Sequence, residues 1–213
     1  MAAHPAAIAN AASGIALILA GFCALFLTRM LGPQPRRWQF VYWSFVITGV
    51  PTVWYHGFGE AHIPHILDVG TNFMVAWAVQ VAILGDFYSL RTQRIVGGTS
   101  AVLNLGLTLW MLVDPIATHH PLFMGLSGNQ LLLLFDTLAV PALAVPKGRL
   151  FPARVMPMVW VVVGAAVLGF TLAIQGNDGV AFGVLSYHAT WHLVASFGLI
   201  VMWAGNHLRF TAE

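Results

Sequence analysis

The chain has 213 residues, of which 59% are hydrophobic and 8% charged, and its formal net charge is +2. A soluble domain carries about 25% charged residues, so this composition excludes a water-soluble globular domain and a disordered chain. Nine basic residues against seven acidic ones are too few for a phosphate-binding surface, which excludes a nucleic-acid binder. The sequence predicts an all-α integral membrane protein in which residues 1–213 form a single domain.

Seven apolar segments follow one another along the chain, each close to the roughly 20 residues that a membrane-spanning helix needs. Glycine, proline and polar residues separate most of them, as is typical of connections between helices. The segments are Ala7–Leu31, Trp38–His56, Ile66–Gly85, Ile95–Val113, Phe123–Val145, Ala153–Gln175 and Val180–Gly205. They predict a bundle of seven transmembrane helices. The single cysteine, Cys23, lies in the first segment and is expected to be a small buried residue.

The basic residues predict the orientation of this bundle. All of them fall on one side of a seven-span topology, and the positive-inside rule makes that side cytoplasmic. They are Arg29, Arg36, Arg37, Arg91, Arg94, Lys147, Arg149, Arg154 and Arg209. We therefore expect the N-terminus outside and the C-terminus in the cytoplasm. Several acids and most histidines fall on the outer side: Glu60, His62, His65, Asp114, His119, His120 and Asp178.

Two histidines in the last segment are candidate metal ligands. His188 and His192 are four residues apart, so on a helix their rings project from one face about one turn apart, a common arrangement for zinc. A histidine surrounded by lipid needs a buried polar partner, which favours this interpretation. His56, at the outer end of the second segment, is the third candidate. The alternative for His56 is an interfacial position beside Trp54 and Tyr55 in an aromatic belt.

Three histidine ligands leave a fourth zinc position open, as catalytic sites do. Asp68, at the outer start of the third segment, is expected either to take a proton from a water there or to orient a ligating histidine. The alternative is that Asp68 has no role in a site and lies there because the helix dipole stabilises an acidic side chain near a helix N-terminus. Thr52 lies one helical turn before His56. Asp136 lies deeper in the membrane, and we interpret it as a hydrogen-bond partner between helices.

These residues resemble the motifs of a superfamily of seven-helix membrane hydrolases. It includes the alkaline ceramidases, the progestin and adiponectin receptors, and the Per1 lipid-remodelling proteins. The superfamily has a serine and a histidine in helix two, an aspartate at the start of helix three, and His-x-x-x-His in helix seven. The matching positions here are Thr52, His56, Asp68, His188 and His192. Trp191 lies directly before His192, and in this the chain resembles the alkaline ceramidase branch, which tends to have tryptophan at that position.

The resemblance implies a zinc-dependent intramembrane hydrolase that cleaves a lipid amide, either ceramide or a related N-acyl lipid taken from the bilayer. It implies that His56, His188 and His192 hold Zn²⁺, with Asp68 as general base and Thr52 as a donor to the developing oxyanion.

Two features depart from the superfamily pattern. Thr52 stands where the family has serine, although the hydroxyl is kept. The alkaline ceramidases also carry an acidic calcium site before helix one, whereas Met1–Ala12 contains no acid. The second departure leaves the metal hydrolase interpretation intact and makes ceramide itself a less certain substrate.

Two other classes of function stay open at this stage. The first is a membrane receptor or sensor of the same superfamily with a structural metal site. The second is a transporter or haem protein that uses the same histidines. We expect a bacterial inner membrane location with the site toward the non-cytoplasmic side, and the sequence gives no oligomeric state.

Overall fold

A computed structural model describes residues 5–58, 61–114, 121–123, 125–175, 180–182 and 185–211. Within these ranges the chain is almost entirely helical, which confirms the prediction of an all-α protein. The helices are α1 (Pro5–Leu31), α2 (Arg36–Phe58), α3 (His62–Phe87), α4 (Leu90–Val113), α5 (Gly128–Ala144), α6 (Met156–Ile174) and α7 (Tyr187–Phe210). A π-helical turn, Gln93–Gly97, interrupts α4, and a 3₁₀ turn, Val145–Leu150, extends α5.

Six of the described helical stretches combine the length and the mean hydropathy that crossing a bilayer requires; α2 is 23 residues long but more polar. Four of its polar residues, Ser44, Thr48, Thr52 and His56, are buried inside the bundle. Many large apolar side chains are exposed along the other helices, as contact with lipid demands. The chain is therefore that of a multi-pass membrane protein. Cys23 is exposed on α1, so the prediction that it is buried is wrong.

The helices pack as a ring. α1, α2, α3, α5, α6 and α7 contact one another in that order, α7 returns to α1, and α4 packs outside against α3 and α5. The approach of α1 to α2 is especially close, because a Cβ built on Gly49 would lie 2.6 Å from the backbone oxygen of Gly14. A Cβ on Gly21 would lie 2.7 Å from the backbone oxygen of Tyr42. Small residues that let two backbones touch are typical of membrane helix pairs.

Ion pairs join several helix ends on one side of the ring. Asp86, near the end of α3, accepts hydrogen bonds from Arg37 at the start of α2 and from Arg209 at the end of α7. Arg154, just before α6, donates to a backbone oxygen in the last turn of α7 at 3.0 Å. Basic residues from three separate parts of the sequence therefore lie at the same end of the bundle.

Two short antiparallel hairpins precede α5 and α7. β1 (Pro121–Phe123) pairs with β2 (Leu126–Ser127), and β3 (Val180–Phe182) pairs with β4 (Leu185–Ser186). The two hairpins have the same register, and a helix follows each one directly. This hairpin-and-helix unit is a structural repeat that the sequence analysis did not find.

The predicted helices that begin at Phe123 and Val180 start several residues earlier than the observed ones, which begin at Gly128 and Tyr187. Each begins as a hairpin, and the helix starts only after a serine in extended conformation, Ser127 or Ser186. Serine caps the free N–H groups of a first helical turn, and Ser186 Oγ accepts a hydrogen bond from Ala189 N at 2.9 Å. The histidine pair consequently lies in the first two turns of α7.

Candidate metal centre

Three helices of the ring bring together His56 of α2, Asp68 of α3 and His188 of α7. One ligand atom from each lies within 4.8 Å of the others. The Nε2 atoms of His56 and His188 are 3.0 Å apart, and His56 Nε2 lies 3.9 Å from Asp68 Oδ2. All three side chains are largely removed from the surface. Residues separated by 132 positions thus form one compact nitrogen and oxygen cluster.

The spacing of the two ring nitrogens fits a shared metal ion. Two nitrogens bound to one tetrahedral zinc at about 2.0–2.1 Å lie about 3.3 Å apart. The distance between His56 Nε2 and His188 Nε2, 3.0 Å, is within a few tenths of an ångström of that value. His56 is 6% exposed, so it faces the interior of the bundle and not an interfacial aromatic belt.

His192 lies one turn further along α7 in the same group of rings. Its ring centroid is 4.5 Å from that of His188 and 6.4 Å from that of His56. His192 Nε2 is buried and has no hydrogen-bond partner among the described residues. Among the described residues, the three ligands whose atoms lie within 4.8 Å of one another are His56, Asp68 and His188, and His192 is not among them. The all-histidine set stays a prediction.

Ser13 of α1 orients the ring of His192. Ser13 Oγ lies 2.8 Å from His192 Nδ1 and 2.7 Å from Asn10 O. The one hydrogen of the Ser13 hydroxyl has two possible acceptors, Asn10 O and His192 Nδ1. When it goes to Asn10 O, Ser13 accepts from Nδ1–H and His192 Nε2 carries a lone pair. Metal-binding histidines are commonly held in this way, with the second ring nitrogen donating to an oxygen. The donor chemistry of the site therefore fits zinc.

Thr52 holds the carboxylate of Asp68. Its hydroxyl oxygen contacts Asp68 Oδ1 and also lies 2.9 Å from the backbone oxygen of Thr48, so its one hydrogen has two acceptors. With Oδ1 engaged by Thr52, Asp68 Oδ2 is the oxygen that faces His56. Thr52 acts here as a positioning residue, and its predicted role as an oxyanion donor stays a prediction.

Two adjoining cavities lie beside His188 and His192. A polar cavity of about 320 Å³ is lined by residues that include Asp68, Ser127, Asn129, Gln130 and His188. A mainly apolar cavity of about 150 Å³ inside the ring is lined by Leu17, Phe45, Val140, Phe170, Leu199 and His192, among others. Asn72, Leu133 and Trp191 line both cavities. His188 thus lines the polar cavity and His192 lines the apolar one, an arrangement suited to an amphipathic ligand.

Sequence reasoning missed Ser13 and Asn10. Both are polar residues within an apolar segment, and that signal was available, because polar groups at membrane depth need partners. Of the outer histidines, His65 stacks on Tyr55, which is in turn adjacent to His56. Four other residues expected on the outer side fall outside the described ranges: Glu60, His119, His120 and Asp178.

Comparison of the chain with protein-family models, curated proteins and solved structures gave no significant match. The resemblance to the seven-helix membrane hydrolases therefore depends on the site residues and remains a hypothesis.

Proposed function

We propose that this chain is a zinc-dependent intramembrane hydrolase that cleaves the amide bond of a lipid, ceramide or a related N-acyl lipid. The observation that carries the proposal is the His56, Asp68 and His188 cluster, of which Asp68 and His188 line a polar cavity that shares Asn72, Leu133 and Trp191 with an apolar one. A lipid with its acyl chain in the apolar cavity and its head group in the polar one would place its amide beside the histidines.

The proposed ligands are His56, His188 and His192. The buried Nε2 atom of His192, which has no hydrogen-bond partner among the described residues, supports its inclusion beside His56 and His188. When bound, zinc supplies a Lewis acid that polarises the amide carbonyl and lowers the pKa of a water.

Asp68 then has a separate task. Its Oδ2 atom accepts a proton from the water that attacks the carbonyl carbon, and it returns that proton to the amine nitrogen as the carbon–nitrogen bond breaks. Thr52 keeps Oδ1 occupied, so that Oδ2 faces the reacting atoms. The products are a free fatty acid and an amine. The apolar walls of the inner cavity exclude bulk water from the acyl side of this reaction.

The proposal includes the membrane topology. We propose that α2 spans the bilayer as a seventh helix, because it packs against α1 and α3 and buries Ser44, Thr48, Thr52 and His56. The shared end of Arg37, Arg154 and Arg209 supports a cytoplasmic assignment of that end. The N-terminus and the metal centre then lie toward the outside, and we propose a bacterial inner membrane.

Hydrolysis by purified protein in liposomes tests this function. Fluorescent N-acyl sphingoid lipid and a matched O-acyl ester are supplied to wild type, Asp68→Asn and Asp114→Asn, and released fatty acid is measured. We expect wild type and Asp114→Asn to cleave the amide, and Asp68→Asn to lose about 10²-fold or more of the rate. Cleavage of the ester alone would contradict the amide assignment. Full zinc binding with no cleavage of either lipid would contradict the enzyme and favour the receptor alternative.

A further inference from the structure

A second polar cluster lies between α3, α4 and α5 and does not include the histidines. Its centre is Asp136 of α5, whose Oδ1 atom accepts a hydrogen bond from Gln80 Nε2 of α3 at 2.8 Å. Asn104 Nδ2 and Ser100 Oγ of α4 approach the same Oδ1 atom at 3.4 Å and 3.5 Å. All four residues are at least nine-tenths buried. The predicted role of Asp136 as a bond between helices thus accounts for one of its two oxygens.

The carboxylate of Asp136 has no basic partner within the described ranges. The ion pairs found there involve Asp86 at one end of the bundle and Asp68 at the metal centre. An uncompensated charge buried among apolar helices is strongly unfavourable. Either a proton or a cation therefore has to neutralise Asp136.

The unsatisfied atoms of the cluster distinguish these two alternatives. Asp136 Oδ2, Gln80 Oε1 and Asn104 Oδ1 are all buried without a hydrogen-bond partner, and all three are acceptors. Both amide groups direct their nitrogen toward Asp136 Oδ1. A proton on Asp136 Oδ2 would supply one donor for the two amide oxygens. A cation would compensate the charge of Asp136 and pair with oxygen acceptors, which are the unpartnered atoms of this cluster.

We propose that Asp136, Gln80 and Asn104 bind a monovalent cation of the size of Na⁺ between α3, α4 and α5. Carboxylate and amide oxygens are the ligands that hard cations prefer. A single carboxylate neutralises one positive charge, whereas a divalent ion would leave a net charge in the membrane interior. Among the three, only Asp136 lines the apolar cavity, so a lipid in that cavity does not reach the two amide oxygens. The bound ion joins three helices and stabilises the fold.

Thermal unfolding of the full chain in detergent, with saturating zinc, tests this site. The melting temperature is measured in NaCl, KCl and choline chloride at equal ionic strength. Because a ligand bound to the folded state alone stabilises it, we expect NaCl to raise the melting temperature saturably by a few degrees over choline chloride. Asp136→Asn should abolish that rise. Asp68→Asn is the matched control and should retain it, because Asp68 belongs to the histidine cluster.

Direct binding provides a measurement that does not depend on how Asp136→Asn folds. Wild-type protein is incubated with ²²Na⁺, and the bound label is competed with unlabelled Na⁺ or with choline. We expect displacement by Na⁺ alone. Equal melting temperatures in all three salts, or no displaceable label on wild type, would overturn the proposal in favour of a protonated Asp136 with buried water. A sodium response that persists in folded Asp136→Asn would also overturn it.

Discussion

Ser13 Oγ and His192 Nδ1 lie 2.8 Å apart, although 179 positions separate the two residues in the sequence. The contact joins the first helix to the last and occupies Nδ1 of His192, so that Nε2 is the ring nitrogen without a partner among the described residues. It makes Ser13 a supporting residue of the candidate metal centre.

Replacing Ser13 with alanine should weaken zinc binding. Loss of the acceptor frees the His192 ring to turn, and removing such a partner commonly costs about 10–100-fold in metal affinity. Competition with a fluorescent chelator measures the affinity. Ser44→Ala is the matched control, because Ser44 is a buried helical serine whose hydroxyl bonds only to its own helix, at Val41 O. Equal zinc affinity in Ser13→Ala and Ser44→Ala would contradict the supporting role of Ser13.

Thr52→Val and Thr52→Ser should behave differently. Valine keeps the shape of threonine but cannot donate to Asp68 Oδ1, so the carboxylate loses its fixed orientation. We expect the hydrolysis rate to fall about tenfold or more in Thr52→Val, while Thr52→Ser retains most of it. Zinc content should be unchanged in both, because Thr52 is not a ligand. A loss of zinc in Thr52→Val with a normal zinc content in Thr52→Ser would instead indicate that the Asp68 carboxylate helps to bind the metal.

The close contact of α1 and α2 predicts a strong effect of one methyl group. Gly49→Ala places a Cβ against the backbone of α1, 2.6 Å from Gly14 O, and we expect destabilisation by about 1–3 kcal/mol. Gly164→Ala is the control, because a Cβ there has no neighbour within 4 Å, and alanine is the better helix former. Apparent melting temperatures in detergent compare the two. A Gly49→Ala protein as stable as Gly164→Ala would contradict the close packing.

The ion pairs of Asp86 should be unequal in strength. The Arg209 side chain is 10% exposed and that of Arg37 is 35% exposed. Asp86→Ala removes both ion pairs and the hydrogen bond from Trp38 Nε1 and leaves Arg209 buried without its partner, which we expect to destabilise the fold by about 3–5 kcal/mol. Arg37→Gln removes the more exposed partner, and its expected effect is about 1 kcal/mol or less. Thermal unfolding checks the order, and an equal loss in both variants would contradict it.

The fold was largely predictable because lipid imposes a simple rule on sequence. Each long apolar run became a helix, since the membrane interior leaves the backbone few other ways to satisfy its hydrogen bonds. The starts of α5 and α7 were not predictable in this way. Residues from Phe123 and Val180 onward are apolar enough for a helix, but each hairpin ends at a serine whose conformation sets the helix start.

The candidate site was predictable in part. Ionisable residues are rare in the membrane spans, so His56, Asp68 and His188 could be predicted as site residues from the sequence. The structure brings these three together. Ser13 and Gln80 were missed because single serines and glutamines in a span look like ordinary contacts between helices. Their importance depends on which atom they meet across the bundle, and the sequence of one helix contains no information about that distance.

The zinc content of detergent-purified protein tests the central claim most directly. Mass spectrometry counts zinc per chain in wild type, the His188→Ala/His192→Ala double variant and His207→Ala, a control for a histidine in the last turn of α7. We predict that one zinc ion is bound in wild type and His207→Ala, and that none is bound in the double variant. Full zinc occupancy in the double variant, or a wild-type protein that binds no zinc, would contradict the account.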